Sequence, residues 1–117
     1  MKIFEESKSW ADAETTCINY GGHLATIESQ AQNDWIAAQA SYYTWHGATD
    51  QFSEGTWTDA VGQNAIPFYN WNSGEPNGGT GESCGMLYAG GGKWNDSGCG
   101  NTYHYACGLN GKNAHIL

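Results

Sequence analysis

Residues 75–99 read EPNGGTGESCGMLYAGGGKWNDSGC, and the rest of the chain makes sense from this stretch outward. It strings Glu75, Asn77, Glu82, Asn95 and Asp96 among glycines, one proline and one tryptophan. All five side chains are oxygen donors, mixing charged carboxylates with neutral amides. A mixed oxygen shell of this kind suits Ca2+, which takes about six to eight ligands in loose geometry. Zinc would prefer Cys or His, and none of the four histidines stands among these residues. By itself Glu75-Pro76-Asn77 would be an ordinary polar turn. Its weight comes from Glu82 and Trp94-Asn95-Asp96 close by. Cys84-Gly85-Met86-Leu87-Tyr88 reads as a strand, Gly90-Gly91-Gly92 as a turn, and 93–96 as the next strand. Trp94 is read as core, locking the strand that presents Asn95 and Asp96.

On the N-terminal side a polar, glycine-rich run from Thr49 to Gly81 is punctuated by Trp57, Phe68, Tyr69 and Trp71. A loop region that long inside a small domain tends to be functional or ordered by an ion. Before it, Tyr42 to Ala48 is aromatic and β-prone. Two helices occupy the first third. Over 8–20, Trp10, Ala13, Cys17 and Tyr20 recur at three- and four-residue spacing, with Ser9 as N-cap, Asp12 in the first turn and Gly21-Gly22 as the stop. The second helix runs from about Ser29 to Ala40, with Ala31, Trp35, Ile36 and Ala38 to Ala40 as its buried side; residues 22–27 join the two as a short β-like segment. Beyond the opening stretch, Tyr103 to Gly108 is a last strand. Helices early and strands late predict an α+β fold with small antiparallel sheets, built as one domain over 1–117 with an extra tail at 109–117.

Composition bounds the function. Twelve Asp and Glu oppose four Lys and Arg, a formal charge of −8, so there are too few cations to displace counterions from nucleic acid or to hold an anionic membrane. No run approaches the roughly 18 apolar residues of a membrane span, and Met1-Lys2-Ile3-Phe4 is followed at once by charges, unlike a cleavable leader. Four cysteines, none in a C-x-x-C pair, point to two disulfides in an oxidising compartment; spacing leaves all three pairings open.

Four ordered features together resemble the C-type lectin-like domain family. Trp45-His46-Gly47-Ala48 stands where that family has Trp-Ile-Gly-Leu, Glu75-Pro76-Asn77 matches its sugar-specificity tripeptide, Glu82-Ser83-Cys84 its Glu-Asp-Cys segment, and Trp94-Asn95-Asp96 with Cys99 its Trp-Asn-Asp motif. The resemblance covers the chain from the Cys17 helix to Cys107. It implies the short form of the fold, with Cys17–Cys107 tying the first helix to the last strand and Cys84–Cys99 pinning the ligand-bearing loops. It implies a cis bond before Pro76, turning Glu75 and Asn77 toward one point. It also implies that Glu75, Asn77, Glu82, Asn95 and Asp96 hold one Ca2+, whose shell is completed by two vicinal hydroxyls of a sugar. The Glu-Pro-Asn order goes with mannose-type sugars: mannose, glucose, fucose or N-acetylglucosamine. The expected function is therefore calcium-dependent glycan binding in a secreted or extracellular domain, without enzyme activity. Weak single sites would be linked through a homo-oligomer for avidity. The alternative is calcium-dependent recognition of a protein or other non-sugar ligand. Asp50 and Glu54 match two ligands of a second family calcium site, but Gly78 and Ser83 replace further acids there. The pair is read as a solvated face or turn caps.

Other patterns are set aside. Gly81-Glu82-Ser83-Cys84-Gly85 fits G-x-S-x-G, yet a glycine loop precedes it and a strand follows, the reverse of a nucleophile elbow. His23, His46, His104 and His115 show no H-E-x-x-H spacing. Asn95-Asp96-Ser97 is formally a glycosylation sequon, read as coincidence. Of the six tryptophans, Trp10, Trp35, Trp45, Trp57 and Trp94 are expected in the core, and Trp71 is kept as a candidate sugar-stacking ring.

Overall fold

The computed structural model describes residues 1–109, which leaves 110–117 of the expected tail outside the described residues. The chain runs β1 (Lys2–Lys8), α1 (Trp10–Asn19), β2 (Gly22–Leu24), α2 (Gln30–Gln39), β3 (Thr44–Thr49), β4 (Cys84–Leu87), β5 (Trp94–Ser97) and β6 (Tyr103–Leu109). Both helices start on the expected serines. Ser9 Oγ accepts from the Asp12 amide at 3.3 Å, and Ser29 Oγ from that of Gln32 at 3.2 Å. Gly21, with φ of 96°, ends α1 in a conformation that favours glycine.

Helix α1 buries Trp10, Ala13 and Cys17 as its spacing predicts, whereas Tyr20 lies past the last turn and is exposed. Helix α2 departs further. Its buried residues are Asn33 and Ile36, while Ala31, Trp35 and Ala38 are exposed. The reason is polar. Asn33 Nδ2 donates to Gly92 O at 2.9 Å and its Oδ1 accepts from Trp94 Nε1 at 2.6 Å. A fully satisfied amide can be buried, and turning it inward carries Trp35 to the outside.

The strands form one mixed sheet rather than several antiparallel ones, in the order β1-β6-β3-β4-β5, with β2 also on β6. Strand β3 runs parallel to β6 (Thr44↔His104), and the other pairings are antiparallel. Strand β1 has no counterpart in the sequence reading. One core cluster gathers Ile27, Ile36, Leu87, Trp94 and Ala106; a second gathers Trp10, Cys17, Leu24, Trp45 and Tyr105. Three buried indoles each find an acceptor: Trp10 at His46 O, Trp45 at Lys8 O, and Trp94 at Asn33. Gly47 sits where a Cβ would come within 2.5 Å of Leu24 O, so β3 packs backbone to backbone against β2. The disulfides are Cys17–Cys107 and Cys84–Cys99, the pairing implied by the resemblance.

Candidate functional site

Residues 50–83 cross from β3 to β4 with little regular structure: isolated bridges at Thr49↔Thr58 and Thr58↔Ala65, and a 3-10 turn at Gly79–Gly81. What steadies them is the sheet edge. Trp94 exchanges backbone bonds with Asn70 and Asn72, and Asn70 Nδ2 reaches Gly92 O at 2.7 Å. This pins the segment leading to Glu75 against β5, the strand that carries Asn95 and Asp96. The Trp71 ring packs edge-on against Trp57 and Trp94, with centroids 4.8 and 5.4 Å apart. It is half-buried and packs against the core under the loops.

The peptide bond between Glu75 and Pro76 is cis. Immediately after it, the Asn77 and Gly78 amides donate to one oxygen of Asp96, Oδ2, at 3.0 and 2.8 Å. The Glu75 carboxyl lies close enough to Asp96 and Glu82 for both to act on its protonation. Glu82 folds back onto the same turn, so close that a Cβ on Gly78 would lie 2.2 Å from its Cβ and Oε1. The structure thus gathers Glu75, Glu82, Asp96 and the backbone of Asn77 within one turn, with Asn95 next to Asp96 on β5. Asn77 itself is exposed.

The electrostatics of this turn are unfavourable as it stands. Glu75 is pushed up to about 7 by its hydrogen bond to Asp96, then by desolvation and by the charges of Asp96 and Glu82; the Asn77 amide opposes this only in part. Glu75 Oε1, Asn95 Oδ1 and Asp96 Oδ1 are buried without a hydrogen-bond partner among the described residues. Buried polar atoms are normally paired, and here every unpaired one in the turn is an acceptor. A hard cation satisfies such oxygens, whereas Zn2+ would want nitrogen or sulfur. Among the described residues, no three His, Cys, Asp or Glu side chains by themselves form a metal-binding group. The amide oxygens belong to any cage built here. On this donor chemistry the residues fit a Ca2+ ion.

Beside the turn a cleft of about 420 Å3 is lined by Asp50, Gln51, Glu54, Thr80, Gly81, Ser83 and Cys99. Asp50 is not on a solvated face. It is 3% exposed, its Oδ2 accepts from the Gly55 amide at 2.9 Å, and its Oδ1 is another unpartnered acceptor. Glu54 is exposed, its carboxyl held above the ordinary range by desolvation and by Asp50 and Asp96.

Residues 6–109 match the Lectin C-type domain family. The chain belongs to that family. A C-type lectin mannose-binding isoform of Oxyuranus scutellatus is 36% identical to this lectin domain over 91% of the chain and 73% of its own length. Among solved structures, the cow C-type carbohydrate-recognition domain of CD23, in the presence of a GlcNAc2Man3 oligosaccharide, superposes with a TM-score of 0.79 at 35% identity, covering 88% of this chain and 81% of that one. A calcium-independent type II antifreeze protein superposes at 0.82 with 25% identity, over 88% and 79%. The lectin domain thus shares its fold with a carbohydrate-recognition domain and with an antifreeze protein.

Proposed function

We propose that this domain binds glycans through a Ca2+ ion held by Glu75, Asn77, Glu82, Asn95 and Asp96, with a preference for mannose-type head groups. The observation that carries the reading is the set of buried, unpartnered acceptor oxygens on Glu75, Asn95 and Asp96, set around the cis Glu75-Pro76 turn. When bound, the ion supplies open coordination positions for oxygen ligands such as two vicinal hydroxyls. The protein's own groups read those hydroxyls. Ionised Glu75 and Glu82 accept hydroxyl protons, while the amides of Asn77 and Asn95 donate to hydroxyl oxygens. This acid–amide order selects a pair of equatorial hydroxyls, as in mannose, glucose, fucose and N-acetylglucosamine. Relatives that carry mannose in their names or mannose-containing ligands in their structures support the same choice. The domain is a binding module and not an enzyme. Its two disulfides suit a secreted or extracellular setting, and no helix among the described residues is long and apolar enough to cross a membrane. Useful affinity requires several linked copies.

A glycan array probed with and without EDTA tests the proposal: binding to mannose-type glycans that EDTA abolishes is the expected result. Glu75→Gln with Asn77→Asp should move preference toward galactose. Sugar binding indifferent to EDTA, or an unchanged preference in the double variant, defeats the reading. The second reading, non-sugar recognition, draws on the fold shared with the antifreeze protein, and calcium-dependent capture of a non-glycan ligand by a domain silent on the array would favour it.

A further inference from the structure

The ligand turn contains a chemically labile amide for the same reason that the turn is tight. Among the described residues, Asn77 is the one asparagine followed by glycine. Packing dictates that glycine. A Cβ on Gly78 would lie 2.2 Å from Glu82 Cβ and Oε1, so the fold that brings Glu82 to the turn excludes a side chain at 78. Without one, nothing shields the Gly78 nitrogen from the preceding side chain, and glycine accepts the backbone rotation that ring closure demands. The amide proton of Gly78 is already shared with Asp96 Oδ2 at 2.8 Å, within the reach that a proton transfer needs. Asn77 is exposed, and its side-chain amide bonds none of the described residues. Asn33 is the contrast. It is fully buried, both ends of its amide are held, by Gly92 O and Trp94 Nε1, and the bulkier Asp34 follows it.

We propose that Asn77 is a site of spontaneous deamidation that retires the ligand turn, and that bound Ca2+ suppresses the reaction. The Gly78 nitrogen attacks Asn77 Cγ. The N–Cγ bond forms, the Cγ–Nδ2 bond breaks, and ammonia leaves with the Gly78 proton. Water then opens the cyclic imide at one carbonyl or the other, giving aspartate or isoaspartate, and no oxidant or cofactor enters. Either product lacks the NH2 that the sugar-binding reading above assigns as donor to a hydroxyl, and adds a fourth carboxylate to Glu75, Glu82 and Asp96. Isoaspartate also lengthens the backbone between the two amides that hold Asp96 Oδ2. The protection rests on the same reading, because an Asn77 side chain held as a ligand has lost the rotation that the attack requires.

Peptide mapping by mass spectrometry tests this on the full chain, kept at physiological temperature and mildly alkaline pH in EDTA or in excess calcium. In EDTA, Asn77 should convert to aspartate and isoaspartate faster than any other asparagine up to residue 109, and calcium should slow it several-fold. Mannose-type binding, read in calcium after each interval, should fall by the fraction of Asn77 converted. Asn77→Gln, whose longer side chain closes a ring far less readily, should stay unmodified. Asn77→Asp should reproduce the binding loss of fully aged protein. Both variants change an exposed side chain and should fold. Asn110-Gly111 in the same digest serves as the internal clock. Asn77 left intact in EDTA after Asn110 has converted overturns the proposal. So does conversion at Asn77 that runs equally fast in calcium in a domain that still binds the ion. Both results leave the glycan reading standing. A domain that binds no calcium in calorimetry defeats the calcium–sugar reading itself, and the protection with it.

Discussion

The sheet and the loop region of 50–83 are held together by opposite means. In the sheet, strands satisfy one another, the buried indoles find backbone or amide acceptors, and a disulfide joins α1 to β6. In the loop region the buried oxygens of Asp50 and Glu75 are left over, and so are those of Asn95 and Asp96 on the strand beneath. The unpartnered buried atoms of the sheet interior are two ring nitrogens, His46 Nε2 and His104 Nδ1, whereas those around the loops are all acceptor oxygens, which a cation would balance. Stability and binding should therefore respond to different perturbations.

The largest effect should come from the sheet side. Replacing Cys17 and Cys107 by Ala opens a loop with a sequence separation of 90, and the chain-entropy estimate for that crosslink is about 5 kcal/mol. Chemical denaturation should show most of that loss, against about 3 kcal/mol for Cys84–Cys99, whose separation is 15. Acid is next. Burial lowers His46 from 6.5 to about 3. The folded state therefore favours the neutral ring, and its contribution is complete above pH 6.5 and lost as pH falls toward 3. That costs about 1.4 kcal/mol per pH unit across the window, and His46→Gln should flatten the slope seen in pH-dependent melting.

Asn33 joins the two regions, since it binds both Gly92 and Trp94 from α2. Asn33→Ala should cost about 2–3 kcal/mol by leaving buried groups unpaired. It should also weaken calcium binding more than Ile36→Ala does at equal loss of stability, because of the two only Asn33 hydrogen-bonds the strand that presents Asn95 and Asp96. The smallest effect on stability, and the most local on function, concerns Glu75. With its proton held to about pH 7, calcium affinity should be flat above pH 7 and fall up to tenfold per unit below it, as the ion must displace that proton. Glu75→Gln should remove this dependence and, in EDTA near neutral pH, raise the melting temperature slightly by relieving the repulsion from Asp96 and Glu82. Calcium titrations across pH 5.5–8 read both.

Much of this was legible from residues alone, and the failures are informative. The cap serines, the cysteine-bearing helix face and the ordered triplets from Glu75 to Cys99 all carry local signals that tertiary packing respects. Strand β1 was not legible because Lys2-Ile3-Phe4-Glu5-Glu6-Ser7-Lys8 has no clean alternation. It sits at the sheet edge, and its register slips between Phe4 and Lys8. Trp35 was read as core from its hydrophobicity, but the face of α2 is decided by the polar Asn33, whose partners are 59 and 61 residues away. Sequence spacing has no means of showing them. That Tyr43, Tyr88 and Tyr103 are neighbours was equally hidden, since they meet only through the parallel β3–β6 and antiparallel β3–β4 pairings. As for the ligand turn, its members could be named from the sequence, but the double amide contact of Asn77 and Gly78 on Asp96 could not.

The pairing of Lys2 with Cys107 sets β1 and the last strand side by side at one margin of the sheet, while β5 with Asn95 and Asp96 forms the opposite margin. A linker coupled through an exposed β1 side chain such as Lys2 therefore attaches at the margin opposite to the strand that carries Asn95 and Asp96. Copies immobilised in this way, whether on a bead or on a scaffold, would be fastened by one margin of the sheet and hold β5 away from the support.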